Sequence, residues 1–179
     1  MSASKKQRIA ELANQHGRQV FQSAFRLLSD VHQAEDITQE VFLKLFNKSE
    51  DGLAQVDNWG AYLRSMSIST AIDLLRKQKR QGEDALETNS ELISPSAAQP
   101  SQQLMTSRDM AAFADALKYV KAQDAEIFCM RFVEGYSYQE IAKVFDISQS
   151  LVGVRLHRCQ QELLSRVGHS QSLGDSYAV

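Results

Sequence analysis

The stretch FVEGYSYQEIAKVFDISQSLVGVRLHR, residues 132–158, decides the fold of the second half of the chain. Ser137 and Glu140 stand three residues apart before an apolar run, which is the capping-box pattern of a helix N-terminus. The helix that they begin is predicted to end near Phe145. A short turn over residues 146–148 follows and leads into another helix, so the pattern predicts a helix-turn-helix. A plain three-helix bundle is the structural alternative.

The helix after this turn has an apolar face and a polar face. Ser148 is placed to cap it, and we expect it to extend from about residue 149 to 166. Its buried stripe is predicted to contain Val152, Leu156, Cys159 and Leu163. Several side chains on its exposed face can contact phosphates or base edges. That face contains Gln149, Ser150, Gly153, Val154, Arg155, His157 and Arg158. His157 is interpreted as a surface or phosphate contact, because no second metal ligand follows four residues later.

Composition divides the chain into two helical parts. Both of its prolines, Pro95 and Pro100, lie in an acidic stretch rich in Ser, Gln and Asn, which is typical of a flexible linker. The expected fold class is all-α, with two small helical domains joined by that linker. The predicted organisation is a helical domain over 1–80, a flexible acidic linker over 81–106, a helix-turn-helix domain over 107–167 and a disordered tail over 168–179.

Helical periodicity predicts three helices in the first domain. The first covers about residues 5–28, as one helix or two short ones. The second covers about 33–46, and the third about 59–79. An Asp or Asn stands where each of the last two must be capped: Asp30 for the second helix, and Asp57 or Asn58 for the third.

The second of these helices mixes acids and apolar side chains on the face opposite its core stripe. That core stripe is predicted to be Ala34, Ile37, Val41 and Leu45. The opposite face, with its flanks, contains Glu35, Asp36, Gln39, Glu40, Leu43 and Phe46. A solvated acidic face near a helix N-terminus is one interpretation. The apolar side chains among the acids favour a protein-docking surface, because charges steer a partner and apolar contacts retain it.

The third helix is apolar nearly all round, which predicts that most of it is buried between neighbours. The polar strip that remains, together with the RKQKR sequence at the helix end, contains Ser65, Ser69, Arg76, Lys77, Lys79 and Arg80. Cations that complement the helix dipole are the structural alternative. Four cations in five residues, on a helix that also carries Trp59 and Tyr62, favour contact with phosphates and with unpaired bases.

The net charge of −2 excludes nucleic-acid binding by bulk positive charge. The two cysteines lie thirty residues apart without a CxxC pattern, and the four histidines show no metal spacing. Neither an apolar leader nor a run of about 20 apolar residues is present, so a cytoplasmic protein without membrane insertion is expected. No Gly-rich phosphate loop or nucleophile motif occurs, so we expect no catalytic residue, metal, cofactor or small-molecule substrate.

Three segments, in this order, resemble the motifs of bacterial RNA polymerase sigma factors of the extracytoplasmic-function (ECF) class. They are AEDITQEVF at residues 34–42, AYL with TAIDLLRKQKR between 61 and 80, and FVEGYSYQEIAKVFDIS with VRLHR between 132 and 158. The resemblance covers about residues 8–80 and 108–166. It implies a chain that binds core RNA polymerase and directs promoter-specific initiation of transcription, in many relatives under the control of an anti-sigma protein.

The resemblance also implies a role for each surface. Docking on the clamp helices of the polymerase's largest subunit would use Asp36, Gln39, Glu40, Phe42 and Phe46. Recognition and melting of the minus-ten promoter element would use the polar strip and its cations, Ser65, Ser69, Arg76, Lys77, Lys79 and Arg80. Reading of the minus-thirty-five element would use the exposed face of the last helix, Gln149, Ser150, Gly153, Val154, Arg155, His157 and Arg158.

The chain departs from the family pattern at four positions in these segments. The family usually has Asn where this chain has Ser69, which puts base identity at that step in question. It usually has Thr, a Lys or Arg, and Ser where this chain has Leu151, Gly153 and Val154. Compared with the family pattern, the last helix therefore lacks a phosphate-contacting cation and hydrogen-bonding groups. Recognition of the promoter is then expected to depend more on contacts with the DNA backbone and on DNA shape.

Two other function classes are compatible with a helix-turn-helix. A stand-alone regulator would sense a ligand or dimerise through its first domain, and would bind a palindromic site without polymerase. An enzyme would need a metal site, phosphate loop or nucleophile motif, and the sequence contains none of them. The regulator is therefore the main alternative to the sigma factor.

Overall fold

The structure is a computed structural model that describes the backbone of residues 3–86 and 107–167, and the side chains of residues 5–82 and 112–165. Within those ranges the secondary structure is helical, as predicted. The helices are α1 Ala3–Leu28, α2 Val31–Asn47, α3 Glu50–Ala54, α4 Trp59–Leu86, α5 Ser107–Leu117, α6 Ala122–Phe132, α7 Tyr138–Phe145 and α8 Gln149–Val167. We refer to α1–α4 as the first lobe and to α5–α8 as the second lobe.

Side-chain caps fix the start of α2 and of α4 in the first lobe. The Asp30 side chain accepts a hydrogen bond of 2.8 Å from the Gln33 amide, which begins α2. The Asn58 side chain accepts one of 3.0 Å from the Ala61 amide, which selects Asn58 over Asp57 as the cap of α4. Each cap satisfies one of the amides that a helix start leaves without an intrahelical partner.

The core of the first lobe lies between α1, α2 and α4. The predicted stripe of α2 is confirmed, because its four members, Ala34, Ile37, Val41 and Leu45, are all buried. From α4, Leu63, Ile68 and Ile72 pack into the same core. This burial orients α2, so that its acids point away from the core.

Helix α4 is longer than the sequence pattern predicted. The expected end was near residue 79 and the linker was expected from 81, but the helix continues to Leu86. The added residues, 80–86, have the sequence RQGEDAL, which includes strong helix formers and no proline. The next proline, Pro95, lies nine residues beyond Leu86 and so does not end the helix there. The rest of the predicted linker, 87–106, and the predicted tail, 168–179, lie outside the described residues.

The second lobe has the predicted helix-turn-helix. Ser137 accepts from the Glu140 amide at 3.3 Å, and Glu140 accepts from the Ser137 amide at 2.8 Å, so the capping box is complete. Asp146 takes a left-handed conformation, with φ 50°, at the turn between α7 and α8. The Ser148 hydroxyl then accepts from the Leu151 amide at 3.2 Å and caps α8.

The buried stripe of α8 is also confirmed. Val152, Leu156, Cys159 and Leu163 are all buried. Burial raises the pKa of both thiols, Cys129 and Cys159. Both thiols are free and act as core side chains, since a protonated buried thiol is a poor nucleophile.

The two lobes contact each other along α4 and α6. Helix α4 packs on α1 and α2 with one side and on α6 with another. The sequence predicted two lobes on a linker, but nothing in it predicted this contact. No helix in the described part of the chain is long and apolar enough to cross a membrane. The described side chains also include no group of three or more His, Cys, Asp or Glu that could bind a metal ion.

Candidate functional site

The acidic face of α2 consists of Asp36, Gln39 and Glu40, and all three are exposed. Their orientation follows from the burial of the opposite stripe. Glu40 forms an ion pair of 2.8 Å with Lys44, one turn further along the helix. Such an exposed pair stabilises the helix by only a few tenths of a kcal/mol. Glu40 can therefore exchange Lys44 for a cationic side chain of a binding partner.

The aromatic residues assigned to this face are placed differently. Phe42 and Phe46 are half-buried and pack against the core. The Lys5 ammonium lies 5.9 Å from the centre of the Phe46 ring. These two rings therefore support α2 more than they project from it.

Leu43 is the projecting apolar side chain of the acidic face, with 61% of its surface exposed. It lies three residues after Glu40 and therefore on the same side of the helix. An exposed leucine among carboxylates matches the mixed chemistry of a protein-docking surface. Its position was visible in the helical periodicity, although the resemblance pointed to the phenylalanines instead.

The polar strip of α4 faces the second lobe. Ser69 donates a hydrogen bond of 2.7 Å to the carboxylate of Glu126 in α6. Arg76 donates one to the backbone carbonyl of Val120, just before α6. Two of the predicted DNA-binding side chains are thus occupied by acceptors of the second lobe.

Ser65 corrects one expectation for this strip. It was predicted as a polar contact on an exposed surface, but it is buried, with 8% of its surface exposed. The reason is that α4 has neighbours on both sides, so a small side chain one turn before Ser69 is covered. In this conformation Ser65 is not accessible to DNA.

The cations at the end of the strip differ in exposure. Lys77 and Arg80 are exposed, whereas Lys79 is half-buried. The Lys79 ammonium lies 3.9 Å from the centre of the Tyr119 ring, which is a close cation–π distance. The predicted basic end therefore presents Lys77 and Arg80 to solvent and directs Lys79 toward the second lobe.

Glu134 of the second lobe forms ion pairs with two arginines of the first lobe, and the sequence patterns did not predict these contacts. Its side chain is almost fully buried, with 1% exposed. Arg64 of α4 donates to it a hydrogen bond of 3.2 Å, and Arg26 of α1 forms an ion pair of 3.0 Å with its other oxygen. The Arg64 guanidinium also lies 5.8 Å from the centre of the Tyr136 ring. No local pattern could have revealed these contacts, because the partners lie 70 or more residues apart.

Glu126 is a second carboxylate in this contact. Burial raises its pKa, and the nearby Asp73 adds to that rise. The hydrogen bond from Ser69 and the charge of Arg76 act in the opposite direction but do not outweigh burial. The carboxylate of Glu126 is thus partly withdrawn from water where it meets the polar strip of α4.

The exposed face of α8 is confirmed for most of its predicted members. Gln149, Ser150, Val154, His157 and Arg158 are exposed, whereas Gly153 and Arg155 are half-buried. A β-carbon at Gly153 would lie 3.6 Å from the Tyr138 ring, an ordinary van der Waals distance. The space beside Tyr138 would therefore accept a β-carbon at Gly153 without a clash.

The two arginines of this face both contact Asp124, which is 2% exposed in the first turn of α6. Arg155 lies 3.4 Å from one carboxylate oxygen, and Arg158 lies 3.5 Å from the other. Arg155 also donates to the Gln123 side chain at 2.5 Å. The arginines therefore neutralise a buried acid, a role that the sequence did not reveal.

An apolar patch lies beside the polar side chains of this face. Tyr138, Leu151 and Val154 are all exposed, and Val154 most so, at 53%. Leu151 and Val154 lie three residues apart, on one side of α8. The side chains of Leu151 and Val154 cannot read donors and acceptors of a base, but they can contact the methyl group of thymine.

Comparison with protein families matches both lobes. Residues 12–81 match the family model described as Sigma-70 region 2, and residues 110–159 match the one described as Sigma-70, region 4. The first range contains the acidic face and the polar strip, and the second contains the helix-turn-helix.

Two curated relatives illustrate the similarity. "ECF RNA polymerase sigma factor SigE" of Mycolicibacterium smegmatis is 30% identical over 156 residues, which are 86% of this chain and 59% of that protein. "RNA polymerase sigma factor YlaC" of Bacillus subtilis is 26% identical over 165 residues, which are 91% of this chain and 94% of that protein.

A solved structure has a similar fold. The chain is similar to the sigma factor RpoE of Bartonella quintana, in a co-crystal structure with the anti-sigma factor NepR. The TM-score is 0.52 with 20% sequence identity, over 95% of this chain and all of that one.

Proposed function

The chain belongs to the sigma-70 family, in its extracytoplasmic-function class, and from this premise we propose that it binds core RNA polymerase and directs initiation at specific promoters. The observation that carries the proposal is that regions 2 and 4 occur in order, one on each lobe. A stand-alone regulator would carry a ligand-sensing or dimerising first domain, so the match of the first lobe to Sigma-70 region 2 favours the sigma factor.

Each surface has a place in this mechanism. The acidic face of α2, with Asp36, Gln39, Glu40 and the exposed Leu43, would contact polymerase. The polar strip of α4 would contact the opened minus-ten element once the second lobe has moved away. The exposed face of α8 would contact the duplex at the minus-thirty-five element. A helix in the major groove and cations on phosphates are the means by which such surfaces bind DNA.

The chain itself would perform no covalent chemistry, which places it outside the enzymes. Opening a few base pairs costs a few kcal/mol, and contacts with polymerase and with captured bases would together offset that cost. The net charge of −2 is consistent with weak DNA binding by the chain alone. We infer that it acts in the cytoplasm, where polymerase and promoters are, and that an anti-sigma protein is a further partner, as in the co-crystal structure of its structural relative.

Run-off transcription tests the proposal. Core polymerase, the purified chain and a library of promoter fragments should give transcripts of defined length, and core polymerase alone should give none of them. Tight binding of the free chain to a palindromic site, without any transcript in the presence of core polymerase, would instead identify a stand-alone regulator.

Methyl groups of thymine should matter in the upstream element. We expect replacement of its thymines by uracil to lower initiation about fourfold, because one lost apolar methyl contact is worth about 0.8 kcal/mol. The Val154→Ser variant should lose less than twofold on the same change, since it lacks the apolar partner. Uracil at positions outside the element is the control, and an equal loss in both proteins would contradict the apolar contact.

A further inference from the structure

Lys44 connects the acidic face of α2 with α4. Its ammonium group lies 2.8 Å from a carboxylate oxygen of Glu40, and it donates a hydrogen bond of 3.0 Å to the hydroxyl of Thr70. Thr70 is the neighbour in sequence of Ser69, a member of the polar strip of α4. One side chain is therefore shared by the surface assigned to polymerase and the helix assigned to the minus-ten element.

The two partners of Lys44 act on it in different ways. Thr70 is buried, and its hydroxyl donates its own hydrogen to the carbonyl of Met66 at 2.9 Å. It therefore accepts from Lys44, and as a neutral group it positions the ammonium without balancing its charge. Glu40 balances that charge, in a pair whose two side chains are both about half-exposed. A change at Glu40 thus alters the charge at this position and leaves the Thr70 anchor in place.

Lys44 lies on the same side of α4 as Lys77, an exposed cation of the predicted minus-ten surface. Gln78 of α4 donates to Gln33 of α2 at 3.1 Å, so the two helices run in opposite directions along their contact. Lys77 follows Thr70 by seven residues, which is nearly two full turns and about 10 Å of helix. A strand of B-form DNA rises about 3.4 Å per nucleotide, so the two positions correspond to phosphates about three nucleotides apart.

A polymerase cation that pairs with Glu40 would remove the counter-charge of Lys44. The pair is exposed and lies within one helix, so this exchange of partners costs little. The new cation would repel the ammonium, which would stay at Thr70 with an uncompensated charge beside the polar strip. Phosphates of an opened DNA strand are the anions that a cation in this position attracts.

We propose that Lys44 is a further phosphate-binding residue of the minus-ten surface, which Glu40 holds in the free chain and releases when Glu40 pairs with polymerase. This rests on the proposed function for the identity of the two surfaces. The shared position of Lys44 rests only on its contacts with Glu40 and Thr70 inside the first lobe.

The free chain tests the release of Lys44 without polymerase. We expect Glu40→Gln to raise the affinity for a fluorescent oligothymidine strand at least about threefold, measured by anisotropy at low salt, because it frees one cation for a phosphate. The same change should have little effect in a Lys44→Gln background. Glu11→Gln is the matched control, since it removes the same charge from an exposed acid of α1 in the same lobe. An equal gain with and without Lys44 would overturn the proposal.

The complex with core polymerase tests the phosphate contact itself. The probe is a promoter fragment from the run-off library, with its minus-ten element held open by mismatches. Lys44→Gln should make the slope of log affinity against log salt less steep by about 0.7, the value for one phosphate of a single strand. Lys44→Arg keeps the charge and should keep the native slope. Lys6→Gln, which removes the same charge at an exposed lysine of α1, should also keep it.

A native slope in the Lys44→Gln complex would exclude the phosphate contact, because a purely structural role would change stability and not the salt dependence. Failure of the proposed function is a separate result. If the chain does not co-purify with core polymerase, that function is lost, whereas the comparison of Glu40→Gln with and without Lys44 in the free chain still decides the release. Normal transcription with a native slope for Lys44→Gln would remove only the role of Lys44.

Discussion

The double variant Asp36→Arg with Glu40→Arg should lose co-purification with core RNA polymerase, with an affinity at least about 100-fold weaker than that of the native chain. Both side chains are exposed on α2, and Leu43 projects beside them. A surface in which carboxylates meet cations of a partner becomes repulsive on charge reversal, and like charges in an interface cost several kcal/mol.

The loss should come from the docking surface and not from the fold. Because both residues lie opposite the buried stripe of α2, the variant should unfold at the same temperature as the native chain within a few degrees. Glu11→Arg with Asp115→Arg is the control, since it makes the same charge change at exposed acids of α1 and α5. Native affinity in the Asp36/Glu40 variant, measured by pull-down with tagged core polymerase, would remove α2 from the docking surface.

The second large effect is on stability. Removing both arginines of α8, as Arg155→Ala with Arg158→Ala, should lower the free energy of unfolding by about 3 kcal/mol. The loss comes mainly from Asp124, which would then be a buried carboxylate without a cation. Urea denaturation followed by circular dichroism measures the change.

Neutralising the acid should reverse most of that loss. Asp124→Asn in the same background removes the buried charge, so the triple variant should recover at least half of the lost stability. If the arginines also contact DNA, the triple variant folds but still initiates poorly. Full recovery of transcription together with stability would assign Arg155 and Arg158 to the fold alone, and no recovery of stability would exclude Asp124 as the cause.

The helices could be predicted from the sequence wherever the deciding interactions are local. The capping box of Ser137 and Glu140, the caps at Asp30 and Ser148, and the buried stripes of α2 and α8 all involve residues within a few positions of each other. The end of α4 was predicted too early, because the change in composition begins before the helix stops. Charge and helix-forming tendency give different boundaries there, and helix-forming tendency decides.

The candidate site could be predicted only in part, for the same reason. Exposure of the acidic face and of most of α8 follows from periodicity. The partners of Ser69, Arg76 and the two α8 arginines do not, since they lie 31 or more residues away in sequence. Helical periodicity predicts an exposed Ser65 on a helix of one lobe, but α4 packs against both lobes and Ser65 is buried.

Twenty residues separate Leu86, where α4 ends, from Ser107, where α5 begins. A polypeptide of that length spans at most about 70 Å, which equals the rise of about 20 base pairs of B-form DNA. The length of this segment therefore limits the distance between the two lobes. Because α4 continues to Leu86, fewer residues remain to span that distance. On the proposed function, the two promoter elements can therefore lie only a limited distance apart, and each residue removed between the helices should narrow the range of spacings that the chain accepts.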